Sequence, residues 1–293
     1  MIQKKCLFCQ GQNLPQLIYQ QNFRTDQINK EIFSARRQTE HWHYQLWRCP
    51  CSDLVFSSPI FSPEELSHLY QDSDQNYDWL TPFINKSYLQ YLNNLLITNQ
   101  QWHSALDIGC GNGFFLSALA SYGFTELAGI EPSQSAIAKA GELEDKIFNG
   151  FIEDYHTDKT FDLITCFQTL DHVSNPQEVI NKTFKLLKPN GLGYFIVHNE
   201  RGLSRWLFGE KSPIYDVEHI YLFNKKNLTR MMTEAGFQVL KVFSVKNNYP
   251  LSYWLSMSPL PFKKQLINFF TKFGLLNKLI NLNAGNVGIF ITK

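Results

Sequence analysis

From Ser104 onward, short apolar runs alternate with stretches whose apolar residues recur every three or four positions. Ala105-Leu106-Asp107-Ile108 predicts a strand, Phe114 to Tyr122 a helix stopped at Gly123, and Leu127-Ala128-Gly129-Ile130 a second strand. Ser133 to Leu143 follows as a helix capped by Ser133, then Lys146-Ile147-Phe148 as a short strand. Phe161 to Phe167 predicts a strand and Pro176 to Lys188 a helix ended by Pro189-Asn190-Gly191. Gly193 to Val197, Gln238 to Val245 and Val287 to Thr292 complete the strands, with a helix from Lys225 to Ala235 between the first two. Strand and helix in alternation require crossover connections, so the fold class is α/β, a doubly wound, mostly parallel seven-stranded sheet covered on both faces.

Three further regions differ in texture. Residues 1–60 hold two cysteine pairs and form a small ribbon-like segment, and 61–100 form a helical connector begun by Ser62 as cap and Pro63 in the first turn. Residues 101–293 form the main domain, with a helical insertion at about 250–283. Within it, Phe262, Leu266, Phe269, Phe270, Phe273, Leu276 and Ile280 fall at helical spacing, with Lys263, Lys264, Lys272 and Lys278 elsewhere. Such a stripe serves first as a lid or pocket wall packed on its own domain, and second as a basic amphipathic surface for an anionic membrane through 261–282.

Composition narrows the class. Hydrophobic residues are 44% and charged residues 18% of 293, which fits a globular chain with a buried core. A net charge of +1 gives no bulk attraction to nucleic acid, so no nucleic-acid partner is expected. No apolar run reaches the roughly 18 residues of a membrane span, and Met1 to Cys6 lacks the apolar stretch of a secretory signal. The expected location is cytoplasmic, where six cysteines are not a disulfide framework.

The sharpest chemical signal is Asp107-x-Gly109-x-Gly111-x-Gly113, placed where a strand gives way to a helix. Glycines there let the chain turn tightly and let a ligand approach backbone N–H groups. A dinucleotide site spaced G-x-G-x-x-G needs its last glycine where this chain has Phe114. Glu131, at the end of the second strand, suits two ribose hydroxyls and is equally compatible with NAD, so the glycine spacing decides. That spacing resembles motif I of class I S-adenosylmethionine-dependent methyltransferases, which have a Rossmann-like fold. Phe161-Asp162-Leu163-Ile164 with Leu170-Asp171-His172-Val173, Leu186 to Gly193, Glu218 to Phe223, and Glu234-Ala235-Gly236-Phe237 extend the resemblance over residues 46–293, toward small-molecule members.

The resemblance implies S-adenosylmethionine as cofactor. Asp107, Gly109 and Gly111 would hold its methionine part, with Cys110 and Gly113 in the same loop. Glu131, followed by Pro132, would hold the ribose, and Gln168 would sit near the methionine or methyl. The family's glycine–acid pair at the adenine is Gly150-Phe151 here, so Phe151, Ile152 and Glu153 are the adenine candidates. The acceptor is expected to be a small molecule, a sugar or glycan or an apolar, quinone-like metabolite. A non-catalytic module that keeps the fold, or an NAD(P)-dependent oxidoreductase, are the alternatives.

A hydroxyl acceptor needs a base near neutral pKa, for which histidine is best suited. His172, His198 and His219 follow or flank strand ends; His219 is the first candidate, with Tyr221 nearby and His172 next, while His198 serves equally well as a loop anchor. Cys6-x-x-Cys9 is half of a tetrahedral zinc site, and Cys49-Pro50-Cys51 supplies the other half. This resembles the zinc ribbon ahead of some methyltransferases, including sugar C-methyltransferases, whose second pair is normally C-x-x-C. Structural zinc on these four thiolates is the expectation; His41 or His43 as substitute ligands, or a ribbon without metal, are the alternatives.

Overall fold

The run Phe161–Phe167 is buried at all seven positions, as a strand flanked by neighbours and covered on both faces must be. In the computed structural model, which describes residues 1–28, 32–33, 41–73, 78–99 and 101–293, it lies inside a seven-stranded sheet. In chain order the elements are β1 (Gln16–Tyr19), β2 (Leu46–Arg48), β3 (Val55–Ser57), α1 (Pro63–Gln71), α2 (Thr81–Thr98), β4 (Ser104–Ile108), α3 (Phe114–Ala120) and β5 (Glu126–Glu131). Then come α4 (Gln134–Ile137), β6 (Ile147–Asn149), β7 (Phe161–Phe167), α5 (Pro176–Leu186), β8 (Leu187–His198), α6 (Leu203–Phe208) and β9 (Tyr221–Leu222). Last are α7 (Lys225–Glu234), β10 (Gln238–Pro250), α8 (Leu251–Met257), α9 (Lys263–Lys272) and β11 (Leu279–Thr292).

The large sheet has the order β10-β11-β8-β7-β4-β5-β6. Its pairs are parallel from β8 to β6, and β11 runs antiparallel to both its neighbours. Alternate residues face opposite layers. Ala105, Leu163, Tyr194 and Ile196 pack with α2 and α3 through Ile84, Tyr88, Leu92, Phe115 and Leu119. Leu106, Ile108, Ile164, Phe195 and Val197 pack on the other face with α5 and α7 through Val179, Ile180, Leu228, Met231 and Met232. The expected doubly wound, mostly parallel sheet is therefore present.

Three expected elements differ. The helix from Ser133 is α4 alone, since Gly141 takes φ +59° and the chain continues as a 3-10 turn, Gly141–Lys146. The amphipathic stripe of 261–282 is helical only through Lys272, and from Leu279 the chain pairs with β10. The chain after His219, for which the apolar pattern predicts no strand, contains β9, whose Leu222 and Tyr221 pair with Val55 and Phe56 of β3. The N-terminal segment thus shares a four-stranded sheet, β1-β2-β3-β9, with the main domain.

Close packing sets one sharp requirement in β5. A Cβ on Gly129 would lie 2.6 Å from the Cys110 sulfur and 3.0 Å from Ile147 Cγ1. Gly129→Ala is expected to cost about 1–3 kcal/mol, measured by denaturant unfolding; stability equal to wild type would show that the loop after β4 yields freely.

Candidate active site

The loop after β4 is bent by left-handed glycines and tied to the next strand. Gly109 takes φ +74°, and a Cβ there would lie 2.1 Å from the Thr169 hydroxyl oxygen, so both backbone and space require glycine. The N–H groups of Gly109 and Cys110 donate to the Ile130 carbonyl at 2.8 and 3.1 Å. Gly111 and Ser133 N–H each donate at 2.9 Å to a different oxygen of Glu131. Burial pushes the Glu131 carboxyl up, and these two N–H groups oppose the shift.

Asp107 is buried at the end of β4, where Thr165 Oγ1 donates to its Oδ1 at 2.6 Å. Burial pushes its carboxyl up to about 7, partly opposed by that hydroxyl. Cys110 turns its thiol into a core of Leu116, Ile137 and Ile147, so only its backbone belongs to the loop surface. Gly113 caps α3 at φ +71°.

Two adjoining cavities open at the C-terminal ends of β4 to β8, the crevice expected of an open parallel sheet. The larger, about 510 Å³, is walled by Gly150, Phe151, Ile152 and Glu153 opposite Leu66 of α1. The smaller, about 220 Å³, is walled by Asp107, Gly111, Glu131, Gln168 and the aromatic rings of Phe33, Tyr88, Phe114 and Phe167. Gly109, Pro132, Thr169 and His172 line both. Gln168 takes φ +53°, with its N–H donating to Ile196 O at 2.7 Å. Its Oε1 is buried without a hydrogen-bond partner, an unmet acceptor in the wall of the smaller cavity.

The same wall carries a cluster that the linear sequence disperses. His198 Nδ1 lies 2.6 Å from Asp171 Oδ2, and the His198 N–H donates to that oxygen at 2.9 Å. His219 packs edge-on to His172, with centroids 4.7 Å apart, and 4.3 Å from the His198 ring. Its Nδ1 is 2.9 Å from the Ile214 carbonyl, which fixes Nδ1 as donor and leaves Nε2 as the acceptor. Burial, with the neighbouring histidines, holds His219 well below the usual imidazole range, so it is neutral. Burial raises the Asp171 carboxyl, but the charge and hydrogen bond of His198, with His172 and His219, reverse this and hold it well below the carboxylate range.

A methyltransferase-domain family model matches residues 83–242, more than half of the chain. The protein is an S-adenosylmethionine-dependent methyltransferase. The methyltransferase is 31% identical over 139 residues to a ubiquinone biosynthesis O-methyltransferase of Rickettsia akari, covering 44% of this chain and 55% of that protein. It is 27% identical over 237 residues to the protein of the same name from Coxiella burnetii, covering 70% and 97%. Among solved structures, the plantazolicin methyltransferase BpumL, in complex with SAH, matches with a TM-score of 0.50 and 19% identity over 78% of this chain and 90% of that one, which speaks to fold.

Of the residues singled out in the sequence, His219 and His172 stand in the methyltransferase's cavity wall and Tyr221 does not. Tyr221 lies in β9, buried under the N-terminal segment with Lys4 Nζ 5.9 Å above its ring. His198, weighed equally as a loop anchor, shares the wall because β8 ends there. At the N-terminus the sulfurs of Cys6, Cys9, Cys49 and Cys51 all lie within 4.8 Å of one another. Gln10 N–H donates to Cys6 O and Asp53 N–H to Cys49 O, so both knuckles make the same turn despite unequal cysteine spacing. A C-x-x-C pair would end at Ser52, whose Oγ is 3.2 Å from Cys6 Sγ; Cys51, one residue earlier, reaches the cluster from the exposed side. His43 is engaged by Tyr44 O and Glu210 instead.

The raised Asp107 pKa has a definite sign. A carboxyl bound more tightly to its proton in the folded state costs nothing below its unfolded pKa, and the cost grows as pH rises toward 7. Asp107→Asn is therefore expected to stabilise the cofactor-free protein above pH 7 by at most ~4 kcal/mol, with the gain vanishing near pH 4. Urea unfolding across pH checks this, and a pH-independent difference would refute it.

Proposed function

We propose that this methyltransferase methylates a hydroxyl on an uncharged, flat or apolar small molecule, with His198 as the general base. The Asp171–His198 pair in the cavity wall carries the proposal. A carboxylate on Nδ1 fixes the ring and its tautomer, presents Nε2 as acceptor, and favours the imidazolium that forms on taking a hydroxyl proton. His219 has a carbonyl in place of a carboxylate behind it, so its gain on protonation is smaller, and it serves as second acceptor. His172, 3.4 Å from the Tyr70 hydroxyl, packs His219 in place.

S-adenosylmethionine supplies both the electrophilic methyl and the thioether leaving group. In this reading the residues of the smaller cavity hold its methionine part: Asp107 offers a carboxylate oxygen, and Gly109 and Gly111 an open backbone. Glu131 spends one lone pair of each oxygen on the loop and keeps the others for two ribose hydroxyls. Pro132, Phe151, Ile152 and Glu153 accommodate the adenine in the larger cavity, and the unmet Gln168 Oε1 suits a donor near the methionine. Alignment and exclusion of water by the surrounding rings supply much of the remaining rate.

The lining of the cavities supports this acceptor class. Asp107, Glu131, Asp216 and Glu218 line the smaller cavity, and among the described residues no Lys or Arg lines either cavity. A phosphate-bearing sugar nucleotide would meet these four carboxylates, whereas Tyr88, Phe114, Phe167 and Met257 suit a ring. The O-methyltransferase names of the relatives agree with a hydroxyl acceptor. Assayed with labelled S-adenosylmethionine, simple phenols are expected to be methylated and sugar nucleotides not; the reverse would overturn the acceptor class. His198→Ala is expected to lower kcat about 10²–10⁴-fold with cofactor affinity kept, and Asp171→Asn to follow it. If His219→Ala alone has that effect, the base is His219.

Structural zinc on Cys6, Cys9, Cys49 and Cys51 belongs to the same proposal. Four thiolates at Zn–S ~2.3 Å would be about 3.8 Å apart, and Cys9–Cys49 and Cys49–Cys51 sulfurs lie at 3.5 and 3.2 Å. Metal analysis is expected to find one zinc per chain, and Cys9→Ser to remove it and lower Tm by at least ~5 °C. Full stability without zinc would establish a metal-free ribbon.

A further inference from the structure

The β10–β11 hairpin is longer than the sheet that holds it. β11 pairs with β8 only from Asn286 to Thr292, ending opposite His198, whereas β10 and β11 stay paired out to Pro250 and Leu279. The hairpin therefore projects past the C-terminal edge of the sheet, the edge where both cavities open. At its tip, α8 is fixed to β11 by the N–H groups of Leu251 and Ser252 and by Trp254 Nε1, which donate to Lys278 O, Leu276 O and Ile280 O. Met257, at the end of α8, lines the smaller cavity.

Beyond Met257 the helix α9 buries none of its residues, so it is not the packed lid that its apolar stripe suggests. Phe262, Phe269 and Phe273 are 66%, 54% and 63% exposed, and the last two rings pack tilted against each other with centroids 4.9 Å apart. Leu260, Leu275, Leu279 and Leu282 extend the exposed apolar surface along the hairpin. Water-facing aromatic clusters of this extent are uncommon on monomers without a partner surface. The charge around them is one-sided: residues 251–282 contain four lysines and no Asp or Glu, in a chain whose net charge is only +1.

We propose that this hairpin tip docks the enzyme onto an anionic lipid bilayer, with the phenylalanines entering the interface and the lysines at the headgroups. The pairing of a large apolar face with flanking lysines selects a lipid surface, since a nucleic acid would use the charge and leave the phenyl rings in water. Docking there sets the cavity mouth, through Met257, at the level of the membrane, where an apolar acceptor partitions. The inference does not rest on the proposed acceptor, because vesicle binding is read without turnover.

The test is flotation of the full chain with vesicles of one part phosphatidylglycerol to two parts phosphatidylcholine, and with phosphatidylcholine alone. Wild type is expected to float with the anionic vesicles and to be released by salt. F262S/F269S/F273S and K264E/K272E/K278E are each expected to bind at least ~10-fold more weakly, with S-adenosylmethionine affinity unchanged as the control for folding. Wild type left at the bottom of the gradient, or both variants floating as well as wild type, would overturn the proposal. So would a concentration-dependent dimer, in size-exclusion chromatography, that the phenylalanine variant abolishes.

Discussion

The arrangement of the active site depends on one buried carboxylate. Asp171 is fully buried, and three segments meet on it. The end of β8 donates the His198 N–H and Nδ1 to its Oδ2, and the backbone N–H groups of Ile220 and Tyr221 donate to its carbonyl at 2.8 and 3.2 Å. A buried carboxylate without its His198 donors would cost several kcal/mol, and the backbone bonds add the segment carrying His219, so both it and the strand carrying His198 are held to the loop after β7. The residue that would orient the base is also the one that closes the site.

The N-terminal segment takes part in the same closure. The Ser57 hydroxyl donates to the His219 carbonyl at 2.8 Å, and the Ser57 N–H donates to the Ile220 carbonyl. β3 then pairs with β9, so the segment from Asp216 to Phe223 is clamped between Asp171 on one side and the cysteine-bearing sheet on the other. A metal that rigidified the four-cysteine cluster would act on chemistry only through this chain of backbone hydrogen bonds. Its second knuckle, one residue short, closes because Cys51 approaches from outside while Ser52 occupies the inner position.

What was legible in the sequence is what local spacing determines. The glycines at 109, 111 and 113, the acid at 131 and the alternation of strands and helices answer to turn geometry and to one sheet edge, so the crevice at the strand ends and the doubly wound sheet are legible directly. His198 was weighed only as one of two equal options, because its partner Asp171 lies 27 residues away and only the parallel pairing of β7 with β8 brings them together. Tyr221 stands apart for the converse reason: it neighbours His219 in sequence, but the chain enters β9 there, pairs with β3 and buries the Tyr221 ring beneath the N-terminal segment. The tail misled by period, since leucines and isoleucines spaced as in a helix continue past Lys272 into a strand whose pairing is set by β10.

Charge is distributed so that the two signs occupy separate places. Acids gather in the smaller cavity, where they favour a cationic cofactor group and an uncharged acceptor. The lysines of residues 251–282 stand outside it, on a hairpin with no acid to neutralise them. Had those lysines lined the cavity, they would have paired with Asp107 and Glu131 and taken the carboxylates proposed to hold the cofactor. Separating the two signs by the length of a hairpin gives one chain of nearly zero net charge an acidic cavity within and a basic surface without, each in a local field that the whole-molecule charge conceals.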